Sequence, residues 1–117
     1  MAERFDSYLP LSSAALHVLL ALAGEDLHGY GIMQEVARQS EGIYKLGPGT
    51  LYDNLQKIIQ GGWVQELGAR RGDSDPRRRY YRLTDAGRDV LRAETARLTQ
   101  VVREARLRLQ DPNPRRV

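Results

Sequence analysis

With 117 residues and no cysteine, the chain has room for one small domain and carries neither a disulfide framework nor a thiolate zinc site. A hydrophobic content of 41% and a charged content of 28% exclude a disordered chain, and no apolar run nears the ~18 residues of a membrane span. The net charge of +3 is unevenly spread: residues 70–82, RRGDSDPRRRYYR, set six arginines against Asp73 and Asp75, while residues 1–40 are acidic.

LSSAALHVLLALAG, residues 11–24, predicts a first helix, capped by Ser12 or Ser13 and stopped by Gly24. Ala15, Leu16, Leu19, Leu20 and Ala23 recur at helical spacing and form its expected buried face. DLHGYGIMQEVARQSEG predicts a second helix, with Ile32, Met33, Val36 and Ala37 inward and Gly42 closing it. IYKL reads as a short extended link. Pro48 then stands in the favoured first turn of a third helix. At about 100° per residue, Leu51, Leu55, Ile58 and Ile59 share one face of that helix. Gly49, Asp53, Gln56 and Gln60 lie opposite, with Thr50 and Lys57 on one shoulder and Tyr52 on the other.

Gly61 and Gly62 end the third helix. WVQELGA, RRGDSDP and RRRYYRLT follow as strand, turn-rich loop and strand, which is a hairpin with arginines at its tip. Alternation puts Tyr81 and Leu83 inward and groups Tyr80 with Arg78 and Arg82. Thr84 is a natural N-cap for one long helix to about Gln110, where DPNP stops it. Along that helix Leu91, Thr95, Leu98, Val102, Ala105 and Leu109 alternate steps of four and three, the spacing of a coiled-coil seam. A helix of ~26 residues is about 39 Å long, more than a small body covers, so a partner subunit is the expected cover. Packing onto its own domain is the plainer alternative.

The predicted class is mainly α with a small β-hairpin: a winged helix-turn-helix over residues 9–83 and a C-terminal dimerisation helix over 84–110. Residues 1–8 and 111–117 are expected to be flexible tails. In this arrangement the third helix offers its polar face to the DNA major groove, and the arginine-rich hairpin reaches the flanking backbone or minor groove. Glycines around Pro48 let the chain approach a phosphate at a helix N-terminus. The expected DNA-contacting set is Tyr30, Gly49, Thr50, Tyr52, Asp53, Gln56 and Lys57, with Arg70, Arg71, Arg77 and Arg78 from the hairpin. Asp53 is the odd acid on this face. It either accepts from a cytosine amino group or pairs with Lys57 at i,i+4 and orients it; the pairing, which assumes nothing about DNA, is the favoured expectation.

Plainer readings hold elsewhere. His17 and His28 are too few and too isolated for a metal site, and His28 reads as an N-terminal residue of the second helix. Trp63 reads as a core or rim residue rather than the wall of a ligand cavity. Tyr8, Tyr30 and Tyr44 read as half-buried packing groups. Thr50 and Ser40 lack a His and Asp at useful positions, and no Gly-rich loop follows a strand, so a non-enzyme without cofactor is expected. The opening MAERFDSYLP lacks the form of a signal peptide, which predicts a cytoplasmic protein with no membrane partner. The rival reading is a winged-helix protein-interaction module that binds no DNA; a regulator of the MarR or ArsR type would share the DNA chemistry but dimerise differently.

Three motifs in order carry a resemblance: His28-Gly29-Tyr30, then Gly49-Thr50-Leu51-Tyr52 followed by Leu55, Ile58, Gly62 and Val64, then Arg79, Tyr81, Leu83, Thr84 and Gly87. Over roughly residues 9–110 the chain resembles the PadR-like transcriptional regulators in their short form with a single C-terminal helix. The resemblance implies a homodimeric repressor of an operator in double-stranded DNA, paired through the C-terminal helices with help from the first helix. The expected interface is then Leu16, Leu91, Leu98, Val101, Val102, Ala105 and Leu109. Some members respond to phenolic or other hydrophobic effectors near the dimer interface. Asp53 stands where relatives often place a non-acidic residue.

Overall fold

A computed structural model describes residues 8–110. The expected tails lie outside the described residues, apart from Tyr8, as does the DPNP stop. The elements are α1 (Ser13–Gly24), β1 (Leu27–His28), α2 (Gly29–Gln39), α3 (Pro48–Gln60), β2 (Val64–Leu67), β3 (Tyr80–Leu83) and α4 (Asp85–Gln110). The three strands form one antiparallel sheet in the order β1-β3-β2. The result is a winged helix with a long C-terminal helix.

Local chemistry sets most helix ends. Ser12 caps α1 by accepting the Ala15 N–H at 3.1 Å. His28 caps α2, its Nδ1 accepting the Gly31 N–H at 3.1 Å. Gly47 precedes α3 and Pro48 opens it, where a missing N–H costs nothing. Thr84 Oγ1 accepts the Gly87 N–H and itself donates to the Gly62 carbonyl at 2.6 Å, so the start of α4 is tied to the end of α3.

The second helix begins later than expected. Leu27 and His28 leave it and pair with Tyr81 and Tyr80 of β3. Two residues cannot announce a strand by alternation; they are strand because a neighbour supplies the partner groups. The hairpin strands are also shorter than expected. They stop at Leu67 and start at Tyr80, which leaves Arg77, Arg78 and Arg79 in the loop. Of IYKL, Ile43 and Tyr44 form a bend and only Lys45 and Leu46 continue as a link without regular structure; Ile43 is exposed and Leu46 is buried.

The core joins Val18, Leu19, Ile32, Val36, Leu51, Leu55, Val64, Tyr81, Leu83 and Val90. The inward sides expected for α3 and β3 hold, with Leu51, Leu55, Ile58, Tyr81 and Leu83 buried; Ile59 of that α3 set, like Met33 and Ala37 of α2, is half-buried. The α1 face differs. Leu20 is exposed, while Ala14, Val18, Ala21 and Leu22 are buried. This helix touches α2, α3, α4 and β3, so it is covered on several sides and a single stripe does not describe it.

Among the described residues one charged side chain, Glu94, is fully buried. Glu94 of α4 accepts the Leu11 N–H at 2.9 Å and binds the Arg97 guanidinium, which fastens the segment before α1 to the C-terminal helix. Arg97, against the opposing pull of burial and with help from the Leu11 N–H, holds the Glu94 carboxyl below its usual value. A lowered pKa means stability that is complete above the ordinary carboxylate range and lost as pH falls through the folded value. Glu94→Gln turns an amide N–H₂ toward the Arg97 donors or leaves the Leu11 N–H unpaired. It should lose about 1–3 kcal/mol near neutral pH, and the gap from wild type should shrink in acid. A gap that stays constant down to pH 3 would show that the carboxylate charge plays no part.

Candidate nucleic-acid interface

α3 is two-sided. Leu51, Leu55 and Ile58 are buried, whereas Gly49, Thr50, Tyr52, Asp53, Gln56, Lys57 and Gln60 are exposed. Tyr52 leans against α2 at Gly29. A Cβ at Gly29 would lie 3.1 Å from the Tyr52 ring and closer still to its hydroxyl, so glycine there sets the approach of α3 to the start of α2. Tyr30 is 62% exposed. A cleft of about 310 Å³ runs from Tyr30 and Tyr52 to Arg77, Arg78 and Arg79 at the base of the wing. The cleft brings Tyr30 and Tyr52 of the expected set beside Arg77 and Arg78; Gly49, Thr50, Asp53, Gln56, Lys57, Arg70 and Arg71 do not line it.

The wing is less free than its sequence suggests. Asp26, between α1 and β1, accepts from Arg82 at 2.7 Å and from Arg70 at 3.4 Å. Arg70 also lies over the Tyr80 ring, 4.4 Å from its centroid. Asp73 takes Arg78 at 3.1 Å and the Tyr80 hydroxyl at 2.5 Å. Asp75 binds Arg77 at 3.3 Å. The Tyr80 hydroxyl first, then the Asp75 N–H, hold the Asp73 carboxyl below its ordinary value, and Arg82 does the same for Asp26. Of the four hairpin arginines expected at DNA, only Arg71 has no ion pair among the described residues; Arg79, absent from that set, has none either. The Arg77–Asp75 pair is exposed and contributes little, whereas the Asp73 and Asp26 carboxylates are largely covered by the arginines and the ring they bind. These pairs hold the loop in shape without withdrawing the arginines from a stronger anion.

Asp26 is the residue that the sequence reading missed. It lies 44 and 56 positions from its two arginines, and no local pattern links them. His28 is likewise more than a cap, because its ring meets Tyr80 edge-on at 5.3 Å. The expected Asp53–Lys57 pair is not formed among the described residues. Lys57 lines a second cleft of about 330 Å³ with Tyr8, Leu11, Asn54, Ile58 and Trp63. Trp63 packs edge-on against Tyr8 at 5.2 Å and is half-buried, a rim residue that also walls this cleft.

The second expected surface runs along α4. Gly87, Val90, Leu91 and Glu94 are buried against the body. The same stripe continues at helical spacing through Leu98, Val101, Val102, Ala105 and Leu109, where the body ends and every residue from Thr99 to Gln110 is exposed. Leu91 therefore belongs to the core of its own chain, and the bare part of the seam begins after it. Leu98 and Leu16 are half-buried. Among the described residues, no helix is long and apolar enough to cross a membrane and no cluster of three or more acidic or histidine side chains could hold a metal ion.

The profile of the Transcriptional regulator PadR-like family matches residues 18–93. The chain is 32% identical over 93 residues to "Transcriptional regulator Rv3488" of Mycobacterium tuberculosis, covering 80% of this chain and 82% of that protein. A PadR family transcription regulator from Clostridium difficile R20291 superposes with a TM-score of 0.67 at 23% identity, over 82% of this chain and 99% of that one. The structure of Bacillus subtilis PadR in complex with operator DNA superposes with a TM-score of 0.60 at 21% identity, over 69% of this chain and 45% of that one. At these identities the structural likenesses speak for the winged-helix fold.

Proposed function

We propose that this chain, which belongs to the PadR-like family of transcriptional regulators and is therefore not an enzyme, is a cytoplasmic homodimeric repressor that binds an operator and is relieved by a small hydrophobic or phenolic effector. The observation that carries the reading is the exposed polar face of α3 beside the arginine-rich wing. An α-helix with that face fits one major groove. Thr50, Tyr52, Asp53, Gln56 and Lys57 then meet base edges or their rim, and Gly49 and Tyr30 meet the phosphates beside the helix ends. Arg71 and Arg79 take backbone phosphates directly. Arg77 exchanges its carboxylate partner for a phosphate most easily, because its pair with Asp75 is exposed and weak; Arg70 and Arg78 reach phosphates with the donors their pairs leave free.

Two copies, paired through the bare stripe of α4 with Leu16 of α1 beside it, would present two α3 helices to successive half-sites. The effector's place is the cleft walled by Tyr8 and Trp63, whose Lys57 rim belongs to the DNA-facing shoulder of α3. A ligand seated there would move a group that the operator also needs.

The test is salt dependence. Each phosphate contact contributes a slope of about 0.9 in log affinity against log salt. Arg71 and Arg79 hold no ion pair among the described residues, so replacing both by Ala breaks none of the wing's bridges. The double variant should bind all duplexes more weakly, with a slope flatter by about 1.8, on DNA from upstream of the protein's own gene. An unchanged slope would take the wing off the duplex. Failure of the wild type to hold any duplex would leave the interaction-module reading in its place.

A further inference from the structure

The exposed face of α3 carries two charges, and neither has a side-chain partner among the described residues. Asp53 and Lys57 stand one turn apart, the spacing that supports an ion pair. No salt bridge joins them among the described residues, and Lys57 lines the Trp63 cleft instead. Asn54, the neighbouring polar side chain, donates back to the Thr50 carbonyl at 2.8 Å. Asp53 is therefore an exposed carboxylate without a donor, in the middle of the face. The wing's carboxylates each have an arginine, whereas this one accepts from no group among the described residues.

Resting on the reading that this face enters the major groove, we propose that Asp53 is a specificity-determining residue that accepts a hydrogen bond from a cytosine N4 amino group. A carboxylate only accepts, and phosphates repel it. In the major groove, guanine and thymine present acceptors and a methyl group; the donors are cytosine N4 and adenine N6. The adenine amino group lies between its own N7 and the thymine O4, two acceptors that oppose a second carboxylate oxygen. The cytosine amino group has an acceptor, guanine O6, on one side only. Adenine suits an amide, which donates and accepts at once, and Gln56 and Gln60 already offer amides on this face.

An aspartate is short, so its use requires the helix to lie deep in the groove. The start of α3 allows that. A Cβ at Gly47 or Gly49 would meet nothing within 4 Å, and neither residue has a positive φ. The interior does not require glycine at either position, and the clearance they leave points outward, where a sugar-phosphate strand would pass.

The experiment is binding-site selection from a randomised duplex library by the intact protein, with D53A and D53N run beside wild type. Asp53 has no side-chain partner among the described residues, so neither change breaks a contact: D53N should melt close to wild type and D53A at or slightly above it, since alanine is the better helix former in the interior of α3. Wild type should select a site in which one base pair per half-site is C·G, preferred by about 5- to 150-fold over the alternatives. D53A should lose that preference while keeping the others, and D53N should turn it toward adenine. Wild-type sites without such a cytosine, or D53A sites that keep it, would overturn the proposal and leave DNA binding intact. A gain in operator affinity on D53A would overturn it as well, by showing the carboxylate to be repelled. If wild type retains no duplex, the DNA-binding reading falls together with it.

Discussion

Val102→Asp should leave the winged body folded, turn the protein into a monomer and weaken operator binding by about 10²- to 10⁴-fold. The seam residues Val101 and Val102 are 50% and 46% exposed in the single chain, so an aspartate there meets water and costs the monomer little. In the proposed dimer it would enter an apolar contact between two α4 helices, where an unpaired charge costs far more than the contact contributes. The operator effect follows from the linkage of two half-site contacts. In the proposed complex, once one α3 is seated the second would bind at an effective concentration near millimolar, and losing that tether removes the avidity. Sedimentation at micromolar concentration is the direct check. A dimer that persists in Val102→Asp would remove the α4 stripe from the interface. A monomer with undiminished operator affinity would remove the need for two copies.

Gly87→Ala should lower the melting temperature by roughly 10–20 °C, although alanine is the better helix former by about 1 kcal/mol. Gly87 lies in the first turn of α4, pressed on the backbone of Trp63. A Cβ there would fall well inside contact distance of the Trp63 carbonyl oxygen, and 2.7 Å from a Leu83 methyl. Neither neighbour can give way easily. The Trp63 carbonyl accepts the Thr84 N–H at 3.0 Å, and the Trp63 N–H is bound to the Ile58 carbonyl at 2.9 Å. Leu83 is in the core. Overpacking of this kind costs about 1–3 kcal/mol and more where backbone must move, and a loss near 3 kcal/mol in a domain this size moves the midpoint by several degrees per kcal/mol. A melt at or above the wild-type temperature would mean that α4 does not dock on Trp63 as described.

The two variants separate the two halves of α4. One sits where the helix is bare and acts on assembly; the other sits where it is covered and acts on the fold. Their double variant should show the two effects adding, since the sites are far apart along the helix and share no contact.

How much of this was readable beforehand differs by element. The α3 faces were legible because a 3.6-residue period records burial on one side only, and α3 is covered on one side only. The cap at Thr84 and the proline at the start of α3 were legible because capping is settled within one turn. The basic wing was legible as charge, but the state of its arginines was not. Arg70 and Arg82 are held by Asp26, which arrives from the far side of two helices. Burial on several sides hid the α1 core positions from a stripe reading. The Asp53–Lys57 pairing was an inference from spacing alone, and spacing permits a pair without requiring one.

The helices, the hairpin, the two-faced α3 and the arginine-rich tip are written in the residues, because each follows from periodicity, capping or charge within a few residues of chain. Folding adds that Leu27 and His28 are strand, that Leu91 belongs to the core while Val102 is bare, that Asp26 holds two wing arginines, and that Asp53 has no donor among the described residues. Each of these depends on which distant groups the fold brings within a few ångströms, and a contact between residues tens of positions apart leaves no mark on the local pattern of either.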